Sequence, residues 1–68
     1  MEINYTTETL GGTTYYSAVS ERGHTTMVWE DFGVIFVQTN KTPPRALKDI
    51  AKPTKLAKLL IEIMEGEK

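Results

Sequence analysis

Cysteine is absent from the 68 residues of this chain, and histidine occurs only once. Without cysteine the chain forms neither a disulfide nor a thiolate metal site. A single histidine also excludes a metal site built from several histidines of one chain. Domains of this size often rely on a crosslink, a metal or a partner chain for stability. With the first two excluded, oligomerisation is the remaining source of added stability.

Long apolar runs are lacking as well. No stretch approaches the roughly 18 consecutive apolar residues of a membrane span. The first residues, Met1-Glu2-Ile3-Asn4, show no basic segment followed by an apolar one. We therefore expect a cytoplasmic protein with no membrane partner. With 40% hydrophobic and 25% charged residues, the composition is typical of a globular protein, and we expect one domain over residues 1–68, with strands in 1–40 and helices in 41–68.

The net charge of −1 hides a segregation of charge along the chain. Residues 1–40 carry one base against five acids, a net charge of −4, and residues 59–68 carry one base against three acids. Residues 41–58 carry six bases against one acid, a net charge of +5, which is a legitimate hint of an interaction. The bases of this basic segment are Lys41, Arg45, Lys48, Lys52, Lys55 and Lys58.

Three short segments that end in glycine divide the first 40 residues: Glu8-Thr9-Leu10-Gly11, Ser20-Glu21-Arg22-Gly23 and Glu30-Asp31-Phe32-Gly33. A type I turn followed by a glycine in the left-handed region makes a three-residue hairpin loop. The stretches between them are rich in Thr, Tyr, Val, Ile, Phe and Trp, which favour strands. The pattern therefore predicts a four-stranded antiparallel meander.

Three-residue loops at all three turns would place Tyr5 opposite Tyr15, Tyr15 opposite Trp29, and Trp29 opposite Ile35. Since side chains alternate between the two sides of a strand, the residues then divide into two faces. Face A comprises Ile3, Tyr5, Tyr15, Ser17, Val19, Met27, Trp29, Ile35 and Val37. Face B comprises Asn4, Thr6, Thr14, Tyr16, Ala18, Thr26, Val28, Glu30, Val34, Phe36 and Gln38. We expect the helices to cover face A, because it holds Trp29 and more aliphatic residues.

Two helices are predicted after the strands. The first runs from about Pro44 to Ala51, with Thr42 as its cap, and ends before Pro53 because a residue preceding proline avoids helical geometry. Thr54 then caps a longer helix that extends through about Glu65. Its apolar residues recur at the spacing of one helical face: Leu56, Leu59, Leu60, Ile63 and Met64. The expected fold class is α+β, a meander with the longer helix packed on one sheet face.

Enzymatic activity is not expected, and neither is a cofactor. His24 lies beside the glycine of a turn, where a solvated side chain is the simplest interpretation. Glu30 and Asp31 are adjacent, and neighbouring side chains of a strand point to opposite faces, whereas a general acid and base need to converge in a cleft.

The leading hypothesis is a non-enzymatic regulatory protein that binds a protein partner and forms a homodimer, as suits an accessory protein or inhibitor of the phage type. If face B is left uncovered, its apolar residues form a binding surface: Tyr16, Val28, Val34 and Phe36. The alternative is a nucleic-acid-binding regulator that uses the basic segment to neutralise phosphates, although an isoelectric point of about 5.7 disfavours a dedicated binder.

Overall fold

The computed structural model describes residues 3–40 and 42–67. Its sheet has five antiparallel strands in the order of the chain. The strands are β1 (Thr6–Leu10), β2 (Thr13–Val19), β3 (Thr25–Asp31), β4 (Val34–Thr39) and β5 (Arg45–Ala46). A 3-10 turn (Leu47–Asp49) and one α-helix, α1 (Lys55–Gly66), follow. The predicted α+β class is confirmed, with an antiparallel sheet and a C-terminal helix.

The middle hairpin has the predicted register. The backbone N–H of Ser20 donates to the carbonyl oxygen of His24 at 2.8 Å, and Gly23 between them has φ +82°. This closes the expected three-residue loop with a left-handed glycine. As a result Ser17 lies opposite Met27, and Tyr15 comes next to Trp29.

The two outer hairpins differ from the prediction. Leu10 pairs with Thr13 and Asp31 pairs with Val34, so each loop has two residues rather than three. Both residues of each loop have positive φ: 57° and 83° in Gly11-Gly12, and 52° and 77° in Phe32-Gly33. These are type I′ turns, whose twist matches that of the flanking strands. Trp29 therefore lies opposite Phe36 rather than Ile35.

Because a shift by an odd number of residues moves a strand's side chains to the other face, the predicted faces are partly exchanged. Ile3, Tyr5, Ile35 and Val37 lie on the helix side as expected. The expectation that α1 covers the Trp29 side of β2 and β3 is wrong. On those strands the helix instead covers small and β-branched residues together with one tyrosine: Tyr16, Ala18, Thr26 and Val28.

The core lies between this covered face and α1. Val28, Ala57 and Leu60 are fully buried, and Met64 and Val37 nearly so. The predicted start of the helix is confirmed, since the side-chain oxygen of Thr54 accepts a hydrogen bond from the backbone N–H of Ala57 at 3.2 Å. This cap satisfies one of the amides that a helix N-terminus leaves without an internal partner.

The predicted first helix is wrong. Arg45 and Ala46 extend the sheet by pairing with Val37 and Phe36, and only the turn Leu47–Asp49 is helical. Between this strand and Pro53 little more than one helical turn is available, and so short a helix nucleates poorly. Thr42 does not act as a cap, since its hydroxyl donates to the carbonyl oxygen of Thr39 at 3.0 Å.

Tyr5 and Tyr16 link the C-terminal end of α1 to the first strands of the sheet. The Tyr5 hydroxyl donates to Oε1 of Glu67 at 3.3 Å, and the rings of Tyr5 and Tyr16 lie 6.1 Å apart. Burial, followed by the charge of Glu67, raises the pKa of Tyr16. The Glu67 charge, followed by burial, likewise raises the pKa of Tyr5. Both phenols therefore stay neutral beside the carboxylate.

Candidate interaction surface

Three aromatic rings form a row across the sheet face that α1 does not cover. The Tyr15 and Trp29 ring centroids are 5.1 Å apart at an angle of 49°, and those of Trp29 and Phe36 are 5.7 Å apart and nearly parallel at 17°. Offset and tilted contacts at these distances are favourable. Each ring is half-buried, so part of the surface of the row stays accessible.

The row runs from Glu8 on β1, which pairs with Tyr15, to Ala46 on β5, which pairs with Phe36. Strand alternation and the registers define the rest of this surface, which we call the open face. It comprises Thr6, Glu8, Leu10, Thr13, Tyr15, Ser17, Val19, Thr25, Met27, Trp29, Asp31, Val34, Phe36, Gln38 and Ala46.

Phe32 adds a fourth aromatic ring at the end of this face. It occupies the tip of the hairpin between β3 and β4, and its side chain is 97% exposed. Its φ of 52° places a bulky side chain in the left-handed region, where Asn, Asp or Gly is common and Phe is not. The meander reverses at each turn, so this tip lies at the same end of the sheet as Leu10, which is 58% exposed.

The charge of the open face is acidic. Glu8 and Asp31 lie on it, and both are exposed. Its members within the five described strands include no lysine and no arginine. A negatively charged phosphate backbone is therefore not attracted to this surface, because base-stacking sites normally combine aromatic rings with cationic groups.

The four residues of the binding surface predicted from face B lie on two different sides of the sheet. Tyr16 is 7% exposed and Val28 is fully buried, so both belong to the core. Val34 and Phe36 lie on the open face, opposite Asp31 and Trp29. Tyr15, Trp29 and Phe32 were not predicted as surface residues. The available signal was the dipeptide Phe32-Gly33, which fits a two-residue hairpin loop as well as the end of a three-residue one.

The basic segment does not form a single helical stripe. Lys41 lies outside the described residues, and the other five bases are exposed but lie on different elements. Arg45 and Lys52 line one shallow cleft together with Pro43, Ile50 and Pro53. Lys55 and Lys58 occupy the first two turns of α1.

In the part of the chain that the structure covers, no group of three or more His, Asp or Glu side chains converges as a metal site would require. No described helix has the length and apolar character needed to cross a membrane. No family model, curated protein or solved structure matches the chain.

Proposed function

We propose that this protein is a non-enzymatic interaction domain that binds another protein through its open face and the adjoining Phe32 tip. The observation that carries the proposal is the position of the aromatic residues. Tyr15, Trp29, Phe32 and Phe36 all lie away from the core side of the sheet, although a domain of 68 residues has little apolar surface to spare.

The exposed areas indicate which residue contributes most to binding. Complete burial of an exposed phenylalanine gains about 1.5–3 kcal/mol, and Phe32 is 97% exposed. The rings of the row are already half-buried, so each has less to gain on contact. Phe32 is therefore the expected anchor of the interface, since large aromatic residues are often the anchors. The row forms the rest of the contact surface.

The charge of the open face indicates what charge its partner should carry. Glu8 and Asp31 flank the apolar surface, so a partner with an apolar patch bordered by lysine or arginine is complementary. Opposite charges at the border of an interface mainly increase the association rate and the specificity. Such a protein acts by occupying its partner's surface, as an accessory protein or an inhibitor does.

A photo-crosslinking experiment tests this proposal. Benzoylphenylalanine replaces Leu10, which is exposed at the Phe32 end of the open face, and in a matched control it replaces Glu62, which is exposed on the helix. After irradiation in the cells that make the protein, we expect a discrete protein adduct from the first position and none from the second.

The same experiment is repeated with Phe32→Asn added to the Leu10 probe. The proposal expects the adduct to disappear, because the anchor is removed while the fold is retained. An adduct between two copies of the chain is recognised by its doubled mass and is not counted. An adduct to another protein that forms equally at both positions, or that survives Phe32→Asn, would show that the open face is not the binding surface.

A nucleic-acid-binding role is the second candidate, and the charges of α1 favour it. A helix N-terminus carries a partial positive charge that favours acidic side chains, yet Lys55 and Lys58 lie there. Arg45 and Lys52 line a nearby cleft. Titration with single-stranded DNA at two salt concentrations tests this role. The role is supported if binding weakens steeply with salt and is lost in a variant with Gln at all four positions. If the variant still binds, the contact lies on another surface.

A further inference from the structure

The outer edge of β1 is an unpaired strand edge. β1 lies at the end of the strand order, and no other segment of residues 3–40 or 42–67 pairs with its outer side. All five of its residues are exposed. Such an edge presents a row of backbone N–H and C=O groups that another extended strand can use.

The hairpin geometry shows which groups point outward. In a two-residue hairpin the residues that flank the loop exchange both hydrogen bonds, which here are Leu10 and Thr13. Bonded pairs then recur at every second residue, so Glu8 and Thr6 also bond to β2. Thr7 and Thr9 therefore direct their N–H and C=O groups away from the sheet.

The two edges of the sheet are protected to different degrees. β5 has only two residues, follows Pro43-Pro44 and begins with Arg45, and short strands, proline and positive charge all discourage further pairing. β1 has five residues, Thr-Thr-Glu-Thr-Leu, with no proline and no lysine. Only the β1 edge is therefore suited to take up a strand.

We propose that this edge pairs with β1 of a second copy of the chain, antiparallel and centred on Thr7. In this register Thr7 lies opposite Thr7, and Thr6 lies opposite Glu8. The sheet already contains close pairs of small hydroxyl side chains of this kind, at 3.0 Å between Thr6 and Ser17 and between Thr9 and Thr14. The two Glu8 side chains lie on a diagonal, about 7–8 Å apart, where their repulsion is weak.

The neighbouring register is disfavoured. Centring the pair on Glu8 would place two carboxylates directly opposite each other at about 4.5–5.5 Å, which destabilises a strand pair. The Thr7 register avoids this contact, and it lets Thr9 bond to the segment at Tyr5, so the charge pattern of β1 favours it over the register centred on Glu8.

This dimer deepens the proposed function without depending on it. The two-fold axis of an antiparallel edge pair is perpendicular to the sheet, so both copies present their open faces on the same side of one ten-stranded sheet. Two binding surfaces on one side allow the second contact with a repeating or dimeric partner to form within the complex, which raises the overall affinity.

Amide hydrogen exchange on the unaltered protein tests the edge directly. The N–H groups of Thr7 and Thr9 face solvent in one chain and are bonded in the dimer. When about nine-tenths of the chains are paired, their exchange slows about tenfold, because only the unpaired fraction exchanges. The neighbouring N–H of Glu8 bonds to β2 in either state and serves as the internal control.

Thr7→Pro supplies the second test, with Thr7→Val as the matched control. Proline is tolerated on an edge strand where its N–H would point outward, so the chain still folds but the central bond is lost. Sedimentation equilibrium is expected to give twice the 7.7 kDa of one chain for the parent and for Thr7→Val, and the single-chain mass for Thr7→Pro.

Two results would overturn the edge dimer. One is a parent protein of single-chain mass at the highest concentration reached, with Thr7 exchanging as fast as in dilute solution. The other is a dimer in which Thr7 and Thr9 stay unprotected and which Trp29→Ser dissociates, since that dimer would use the open face. Neither result depends on the adduct that tests partner binding.

Discussion

Replacing Phe32 with asparagine is expected to make the protein more stable while it loses its partner. A left-handed backbone costs a residue other than glycine roughly 1–2 kcal/mol, and asparagine tolerates it better than phenylalanine. The φ of Phe32 is 52°, and its side chain is 97% exposed, so almost no buried contact is lost. We expect a gain of about 0.5–1 kcal/mol in the free energy of unfolding, which raises Tm by several degrees for a domain of this size.

Phe32→Ala separates the two causes. Alanine removes the ring but keeps a side chain that disfavours left-handed geometry, so binding is lost without the gain in stability. Denaturant unfolding, followed by the fluorescence of Trp29, measures the free energy of unfolding of the parent, Phe32→Asn and Phe32→Ala. If Phe32→Asn unfolds more easily than the parent, the ring makes stabilising contacts within the chain, and its assignment as an exposed, strained anchor is wrong.

Three further outcomes follow from the two faces of the sheet and from the charges near α1. Leu60→Ala should cost about 2–5 kcal/mol, because Leu60 is fully buried, whereas Trp29→Ala should cost less, because Trp29 is half-buried on the open face. Thermal unfolding that ranks the two variants in the opposite order would contradict the observed faces. Lys55→Glu should stabilise the helix by about 0.5 kcal/mol through its interaction with the helix dipole, measured by urea unfolding at low salt, and an unchanged midpoint would count against that interaction. Because the pKa of Tyr16 is raised in the folded chain, stability is retained below the ordinary tyrosine pKa of 10.0 and falls as the pH rises above it. Glu67→Gln should lessen that alkaline loss, and an unaltered pH profile would remove Glu67 as a cause.

The longer helix and the middle hairpin could be predicted because their signals are local. Thr54 is a preferred N-cap residue, and the apolar spacing that follows has a helical period. At the middle turn, Gly23 supplies the left-handed residue that a three-residue loop needs. In both places one residue type decides the geometry, and tertiary packing does not oppose it.

The register of the hairpin between β3 and β4 could not be predicted for an equally specific reason. A two-residue loop and a three-residue loop differ by one position, and Asp31-Phe32-Gly33 is compatible with both. Turn preferences disfavour the observed form, since it requires phenylalanine at positive φ. The loop error left Tyr16, Val28 and Trp29 on their predicted faces but moved Ile35 and Val37 from the Trp29 side to the Val28 side, so the helix was expected on the wrong face.

The observed register gives the helix a face to which it can lie close. Under α1 the sheet presents the buried residues Ala18, Thr26 and Val28, and Ala57 on the helix is fully buried in the same core. Larger rings in their place would hold the helix farther from the sheet. The cost is that the residues with the most apolar area, Trp29 above all, remain on the side without a helix, although a core would gain most from burying them.

The turn that strains Phe32 is also the turn that builds the aromatic row. A two-residue loop places Phe36 opposite Trp29, whereas a three-residue loop would place Ile35 there and turn Phe36 to the other face. The positive φ of Phe32 is therefore a condition for the row as well as for the exposed ring at the tip. A sequence under selection for stability alone would carry asparagine at this position. Phenylalanine there forgoes stability and leaves a fourth ring exposed at the tip of the same hairpin, which is the arrangement expected where the surface, rather than the core, carries the function.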